Sequence, residues 1–302
     1  MKVLVAGASG ALGRPLITRL QDAGHEVWGL AHRPDSLEAI ERLGACPVKA
    51  DALDRAGIFT LVEQIRPEVV IDQLTSLPAS PFDLSARIPA DCRLRLEGGS
   101  HLFDAARTWH VRRYIQQLSG FYLDGGEELA TEASPLRVNA PGTIGESARM
   151  YAALEKRVMS APMMEGIGLR YGFFYGPGTW YWPDGAFSRH LEQGEVSLIG
   201  AGRSIFSFIH VDDAARATVA ALTAPTGIYN IVDSQPTKIS EWLPAYADWI
   251  GANVPSNLGE QEALRLIGEE SIYYQNSLTG ACNRKALNML GFHPQRLPWL
   301  DR

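Results

Sequence analysis

A chain of 302 residues is long enough for one large core or for a main domain with a smaller partner. Its hydrophobic fraction of 46% and charged fraction of 21% are ordinary globular usage and exclude disordered and fibrous classes. The formal net charge of −6, with scattered arginines and no dense basic run, argues against nucleic acid as a partner. No apolar stretch is long enough to cross a bilayer. The first apolar run, Val3 to Ala6, leads into glycines rather than into a secretory leader. Cys46, Cys92 and Cys282 are odd in number and far apart, which predicts free thiols, a reduced cytoplasmic setting and no metal site. The partner expected is a small-molecule substrate, with the chain a monomer or a homodimer.

Short apolar runs alternate with helical patterns through the first half. Strands are expected at Lys2 to Ala6, His25 to Ala31, Pro47 to Ala50, Glu68 to Asp72 and Arg113 to Leu118. Helices are expected at Leu12 to Ala23, Ser36 to Leu43, Ala56 to Ile65 and Leu94 to Trp109. A Pro/Ser-rich loop follows the fourth strand. Such alternation implies a Rossmann-type doubly wound parallel sheet with helices on both faces. Further on, helices are expected at Ser147 to Ala161, Asp212 to Leu222 and Ile239 to Ile250, with strands at Gly166 to Tyr171 and Ile228 to Val232. The expected division is a dinucleotide-binding domain over 1–165, with returns from 166–178 and 205–235. A smaller C-terminal substrate lobe would occupy most of 179–302.

The sharpest chemical signal is Gly7-Ala8-Ser9-Gly10-Ala11-Leu12-Gly13, which follows the first strand and opens the first helix. A pyrophosphate needs backbone N–H groups at close range and the positive end of a helix dipole. Glycines permit the tight turn, the close approach and the packing of helix on strand. The end of the second strand chooses between dinucleotides. A carboxylate there would hold a ribose 2′-hydroxyl, and a cation would accommodate a 2′-phosphate. The chain reads Ala31-His32-Arg33-Pro34, with no acid at the strand end, and Arg14 is a second candidate cation. NADP(H) is therefore expected rather than NAD(H).

These features, in their order along nearly the whole chain, resemble the short-chain dehydrogenase/reductase superfamily in its extended, epimerase/dehydratase-like branch. The further landmarks are Lys49 to Asp54, Val70 to Thr75, Gln117 to Gly120, Leu169 to Gly178 and Ser207 to Asp213. The resemblance implies that Asp51 meets the adenine amino group with Ala52 beside it, and that Leu74 and Thr75 line the ribose and nicotinamide. It implies that Ser119 polarises the substrate oxygen and that Phe173 to Gly176 pass near the carboxamide. Asp212 and Asp213 would mostly order the fold.

The family's proton donor is a tyrosine followed four residues later by a lysine, both on one helix face. Here the helix reads Glu146-Ser147-Ala148-Arg149-Met150-Tyr151-Ala152-Ala153-Leu154-Glu155-Lys156. In one alignment Tyr151 is the tyrosine, Glu155 replaces the lysine, and Lys156 is turned away by about 100°. In the preferred one Ser147 takes the tyrosine place and Tyr151 the lysine place. Either way the pair is broken, which argues against a sugar epimerase or dehydratase. A ketone could still be reduced if Ser119, Ser147, Tyr151, a water or the substrate's own hydroxyl supplied the proton. The segment Gly178 to Phe187 carries Trp180, Tyr181, Trp182 and Phe187, which could cap a flat aromatic molecule. Trp242, Trp249 and Trp299 are expected in the core. The profile resembles ketoreductases that tailor aromatic polyketides and other antibiotics. The alternatives are an epimerase or dehydratase with retained NAD, or a non-catalytic NADP(H) sensor.

Overall fold

Successive residues of a strand point to opposite faces of its sheet, and the first strand shows what each face receives. In the computed structural model, which describes residues 1–301, β1 (Lys2–Ala6) lies inside a seven-stranded parallel sheet. Val3 and Val5 meet Leu16, Ile17 and Leu20 of α1 (Gly13–Asp22) on one face. Leu4 and Ala6 meet Ile58 and Val62 of α3 (Arg55–Ile65), with Leu102 and Phe103 of α5 (Gly99–Thr108), on the other. The remaining strands are β2 (Glu26–Ala31), β3 (Cys46–Lys49), β4 (Val69–Asp72), β5 (Arg113–Ser119), β6 (Glu165–Tyr171) and a last strand, Gly227–Ile231. Helix α2 (Pro34–Arg42) joins β2 to β3.

The sheet order is β3-β2-β1-β4-β5-β6 and then the last strand, with every pairing parallel. The direction of winding reverses between β1 and β4. Ala6 stands level with Leu30 of β2 and Asp72 of β4, so the loops leaving these strands open side by side. In a doubly wound sheet that crevice is where a ligand binds.

One long helix starts earlier than its sequence pattern indicates. It begins at Leu84, ten residues before the predicted start, as α4 (Leu84–Arg93). It passes through a π-helical turn, Leu94–Gly98, and continues as α5. Helix α6 (Gly142–Met159) packs beside it and begins five residues before its expected start. The C-terminal part builds a separate aromatic core around Tyr175, Phe208, Trp242, Tyr246 and Trp299, with Trp249 packed at its edge. No helix among the described residues is long and apolar enough to cross a membrane, and none of their His, Cys, Asp and Glu side chains cluster as a metal site.

Candidate active site

The glycine turn is fixed by close backbone approach. Gly7 has φ +80°, and a Cβ there would lie 2.3 Å from the Gln73 carbonyl oxygen on the neighbouring loop. A Cβ on Gly13 would lie 2.4 Å from the Ala8 carbonyl, so only glycine lets α1 start this close to β1. Gly10 donates its N–H to the Gly7 carbonyl and faces outward, its added Cβ meeting nothing nearer than 3.3 Å. No side chain caps α1, and no acidic residue stands in its first turn. The helix end, with Ser9, Ala11 and Leu12 around it, is thus left as an anion site that fits a dinucleotide pyrophosphate. Arg14 is exposed, and its Nε donates to the Ser9 carbonyl at 3.0 Å, which sets a guanidinium beside the turn.

His32 and Arg33 are exposed at the mouth of β2, and neither joins an ion pair among the described residues. Asp51 accepts the Leu53 N–H at 2.9 Å in a local turn, while Ala52 is buried against Gly98 of the π-turn. At the end of β4, buried Asp72 accepts from the Tyr114 hydroxyl at 2.8 Å and from the Leu74 N–H at 3.1 Å. Leu74 is thereby buried, and Thr75 is half-buried beside it. The next N–H, of Ser76, donates to Asp91 of α4 at 2.6 Å. Trp180 reaches over the same loop, its Nε1 donating to the Pro78 carbonyl at 3.2 Å.

The residues read as catalytic lie on two elements, Ser119 on β5 and Ser147 and Tyr151 on α6. Ser119 is buried at the end of β5, and its hydroxyl accepts the Phe121 N–H at 3.2 Å. Ser147 and Tyr151, one helical turn apart, both face Tyr122. The Ser147 hydroxyl lies near the Tyr122 phenol and pulls its pKa down, and the Tyr151 ring stacks on the Tyr122 ring at 5.6 Å. Tyr122 also shares a 3.1 Å hydrogen bond with Tyr274. Burial pushes the Tyr151 phenol well above the ordinary tyrosine range, against the pull of the Arg95 guanidinium 5.4 Å from its ring. Such a phenol is a weak acid and is not ionised to act as a base. Lys156 is exposed, and Glu155 is engaged by Arg170 at 2.7 and 2.8 Å. The family's tyrosine–lysine pair therefore has no counterpart on this helix.

Phe173 stacks between Phe121 at 4.1 Å and Phe206 at 4.5 Å, which ties the strand end to the C-terminal lobe. The four aromatics expected over the substrate divide. The rings of Tyr181 and Phe187 are packed into the lobe's core against Trp242, because the chain from Gly185 runs into a helix, Ala186–Glu192, that docks there. Trp180 and Trp182 stay half-buried, Trp182 lying against Trp249 at 5.6 Å. Sequence reasoning missed Tyr122, Tyr274 and the Asp91–Arg95 pair. Only the last left a readable trace, a carboxylate and a guanidinium four apart.

A sequence model of the NAD dependent epimerase/dehydratase family matches residues 3–232. The chain is 38% identical over 304 residues to a 3-diazoavenalumate denitrifying reductase of a Streptomyces species, covering 100% of this chain and 98% of that one. It is 27% identical to a UDP-glucose 4-epimerase of Mycolicibacterium smegmatis, covering 98% and 94%. Among solved structures, the UDP-glucose 4-epimerase of Thermotoga maritima with UDP-glucose superposes with a TM-score of 0.77 at 19% identity, covering 99% and 95%. That of Thermus thermophilus complexed with NAD superposes with a TM-score of 0.75 at 23% identity, covering 99% and 96%. With its parallel sheet and glycine turn, the chain is an enzyme of the NAD(P)-dependent oxidoreductase type and belongs to the NAD-dependent epimerase/dehydratase family.

Proposed function

We propose that this protein is an NADPH-dependent reductase of a planar aromatic small molecule, and that no dedicated side-chain acid completes the reduction. The observation that carries the reading is the placement around α6: Tyr151 buried against Tyr122 in the lysine place, and Lys156 in solvent. The turn at Gly7, Gly10 and Gly13 would hold the pyrophosphate. His32 and Arg33, with no acid at the strand end, favour a 2′-phosphate. Asp51, Ala52, Leu74 and Thr75 would line the rest of the cofactor. When bound, NADPH supplies a hydride. The part of the chain is to orient the acceptor and exclude water, with Trp180 and Trp182 offering ring surface to a flat molecule.

The electrophile follows from the missing acid. A ketone that takes up hydride becomes an alkoxide and needs a proton. Ser119, whose hydroxyl hydrogen is not spent on Phe121, would be the side chain to polarise it. An arenediazonium that takes up hydride becomes an aryldiazene, which collapses to the arene and dinitrogen. The ring exchanges a C–N bond for a C–H bond, and the protein supplies no net proton. The full-length similarity to a reductase that denitrifies a diazo compound favours the diazo acceptor. A carbonyl on a bulky aromatic metabolite is the second reading. The test is to mix the protein and NADPH with matched diazo and keto derivatives of a hydroxycinnamate and follow nicotinamide absorbance. Oxidation with either supports a reductase, and faster oxidation with the diazo compound supports the first reading. No oxidation with any aromatic acceptor, together with tightly retained NAD, would return the protein to the epimerase reading.

A further inference from the structure

Asp91 and Arg95 form a buried ion pair at 2.7 Å, in a place where two charges are costly unless all their hydrogen-bonding groups are used. Asp91 is fully engaged: one oxygen accepts from Arg95 and the other from the Ser76 N–H. Arg95 is only 2% exposed, yet its Nη1 has no hydrogen-bond partner among the described residues. Buried donors are rarely left in that state, so Nη1 calls for an acceptor outside the chain.

The backbone holds Arg95 in place. It lies in the π-turn Leu94–Gly98, a feature that often accompanies functional sites. The widened turn is braced from α6, where Arg157 Nη1 donates to the Arg95 carbonyl at 3.2 Å and to the Leu96 carbonyl at 3.4 Å. The guanidinium is thereby fixed between the loop that carries Leu74 and Thr75 and the ring of Tyr151. On the cofactor reading given above, Leu74, Thr75 and α6 would face the nicotinamide half of the crevice, and Arg95 lies between them. Asp91 already balances its charge, so the spare N–H suits a neutral hydroxyl better than an anion.

We propose that Arg95, reaching across from the neighbouring helix, holds a hydroxyl of the nicotinamide-side ribose through Nη1 and stands in for the lysine that α6 lacks. The proposal rests on the reading of the crevice as the NADP(H) site. Arg95 acts on binding and orientation and has no part in proton transfer.

Binding of NADPH and of 2′,5′-ADP, which lacks the nicotinamide half, separates the possibilities. The proteins compared are wild type, Arg95→Met, Arg95→Lys and the double variant Asp91→Asn/Arg95→Met. The double variant leaves no unpaired buried carboxylate, and it carries the test if the single variant does not fold. The expected result is an NADPH affinity weakened about tenfold or more, the worth of one hydrogen bond from a charged donor. Arg95→Lys should recover part of that loss. The 2′,5′-ADP affinity should stay within about twofold of wild type. Unchanged NADPH affinity in a folded variant, or an equal loss for both ligands, would overturn the proposal. If wild type bound neither ligand, the cofactor reading itself would fall, a result distinct from the others.

Discussion

Glu155 on α6 accepts from Nε and Nη2 of Arg170 on β6, at 2.7 and 2.8 Å. Arg170 is nearly buried and Glu155 mostly so, which makes this a bond between helix and sheet. Position 155, one of the two places where a catalytic lysine could have stood, is therefore structural. Glu155→Ala would leave a buried guanidinium unpaired and should cost about 3–5 kcal/mol of stability in urea denaturation. NADPH affinity of the protein that remains folded should not change. A stable variant with lost cofactor binding would place Glu155 in the site instead.

Ser119 accepts the Phe121 N–H, and Tyr151 is buried against Tyr122 and Arg95. Ser119→Ala and Tyr151→Phe should each lower turnover less than about a hundredfold, short of the upper range for general acid–base catalysis. Steady-state kinetics with the best acceptor decides this. A loss far beyond that size in either variant would identify a dedicated donor.

On the proposed reading, cofactor choice rests on exposed Arg33 and His32. Arg33→Ala should weaken NADPH about tenfold, as loss of one charge-assisted phosphate contact does, while NADH stays within about twofold. His32→Ala should act in the same direction with a smaller effect. Nicotinamide fluorescence titration reads both. Equal weakening of NADPH and NADH would remove these residues from the 2′-phosphate.

Asp233 follows the last strand of the sheet and accepts the N–H groups of Phe208 and Gln235. Burial raises its carboxyl from the usual 3.8 to about 6. The folded chain then holds this proton more tightly than the unfolded chain. The stability it contributes is full below about pH 4 and is lost as pH rises through about 6. Asp233→Asn should flatten the stability curve across that window by roughly 3 kcal/mol. Urea midpoints taken at a series of pH values would show it. An unchanged slope would mean that Asp233 titrates like an exposed carboxylate.

The sheet and the glycine turn were legible because their signals are local. Val3 to Ala6 running into Gly7, Gly10 and Gly13 specifies strand, turn and helix within a dozen neighbours. The start of the long helix at Leu84 was hidden by Pro81 and Pro89, which read as loop although Pro89 removes only one bond from the ladder. The role of Arg95 was hidden for a different reason. Its spacing from Asp91 is visible, but its burial depends on α6 and on the loop at Ser76, both distant in sequence. The same holds for Tyr181 and Phe187, whose rings read as a lid until the partners Trp242 and Tyr246 arrive from a later helix. The short helices Glu260–Leu266 and Glu269–Asn276 went unread because few of their residues are buried, with Leu264, Leu266 and Ile267 exposed.

On the proposed reading, an aromatic acceptor is reduced without a titrating side-chain acid. The most direct measurement is the single-turnover rate of NADPH oxidation, with enzyme in excess over a diazo hydroxycinnamate, as a function of pH. The rate constant should be flat between about pH 6 and about pH 9, with one NADPH consumed per acceptor. A rate that falls tenfold per pH unit within that range, and becomes flat in Tyr151→Phe or Ser119→Ala, would contradict it.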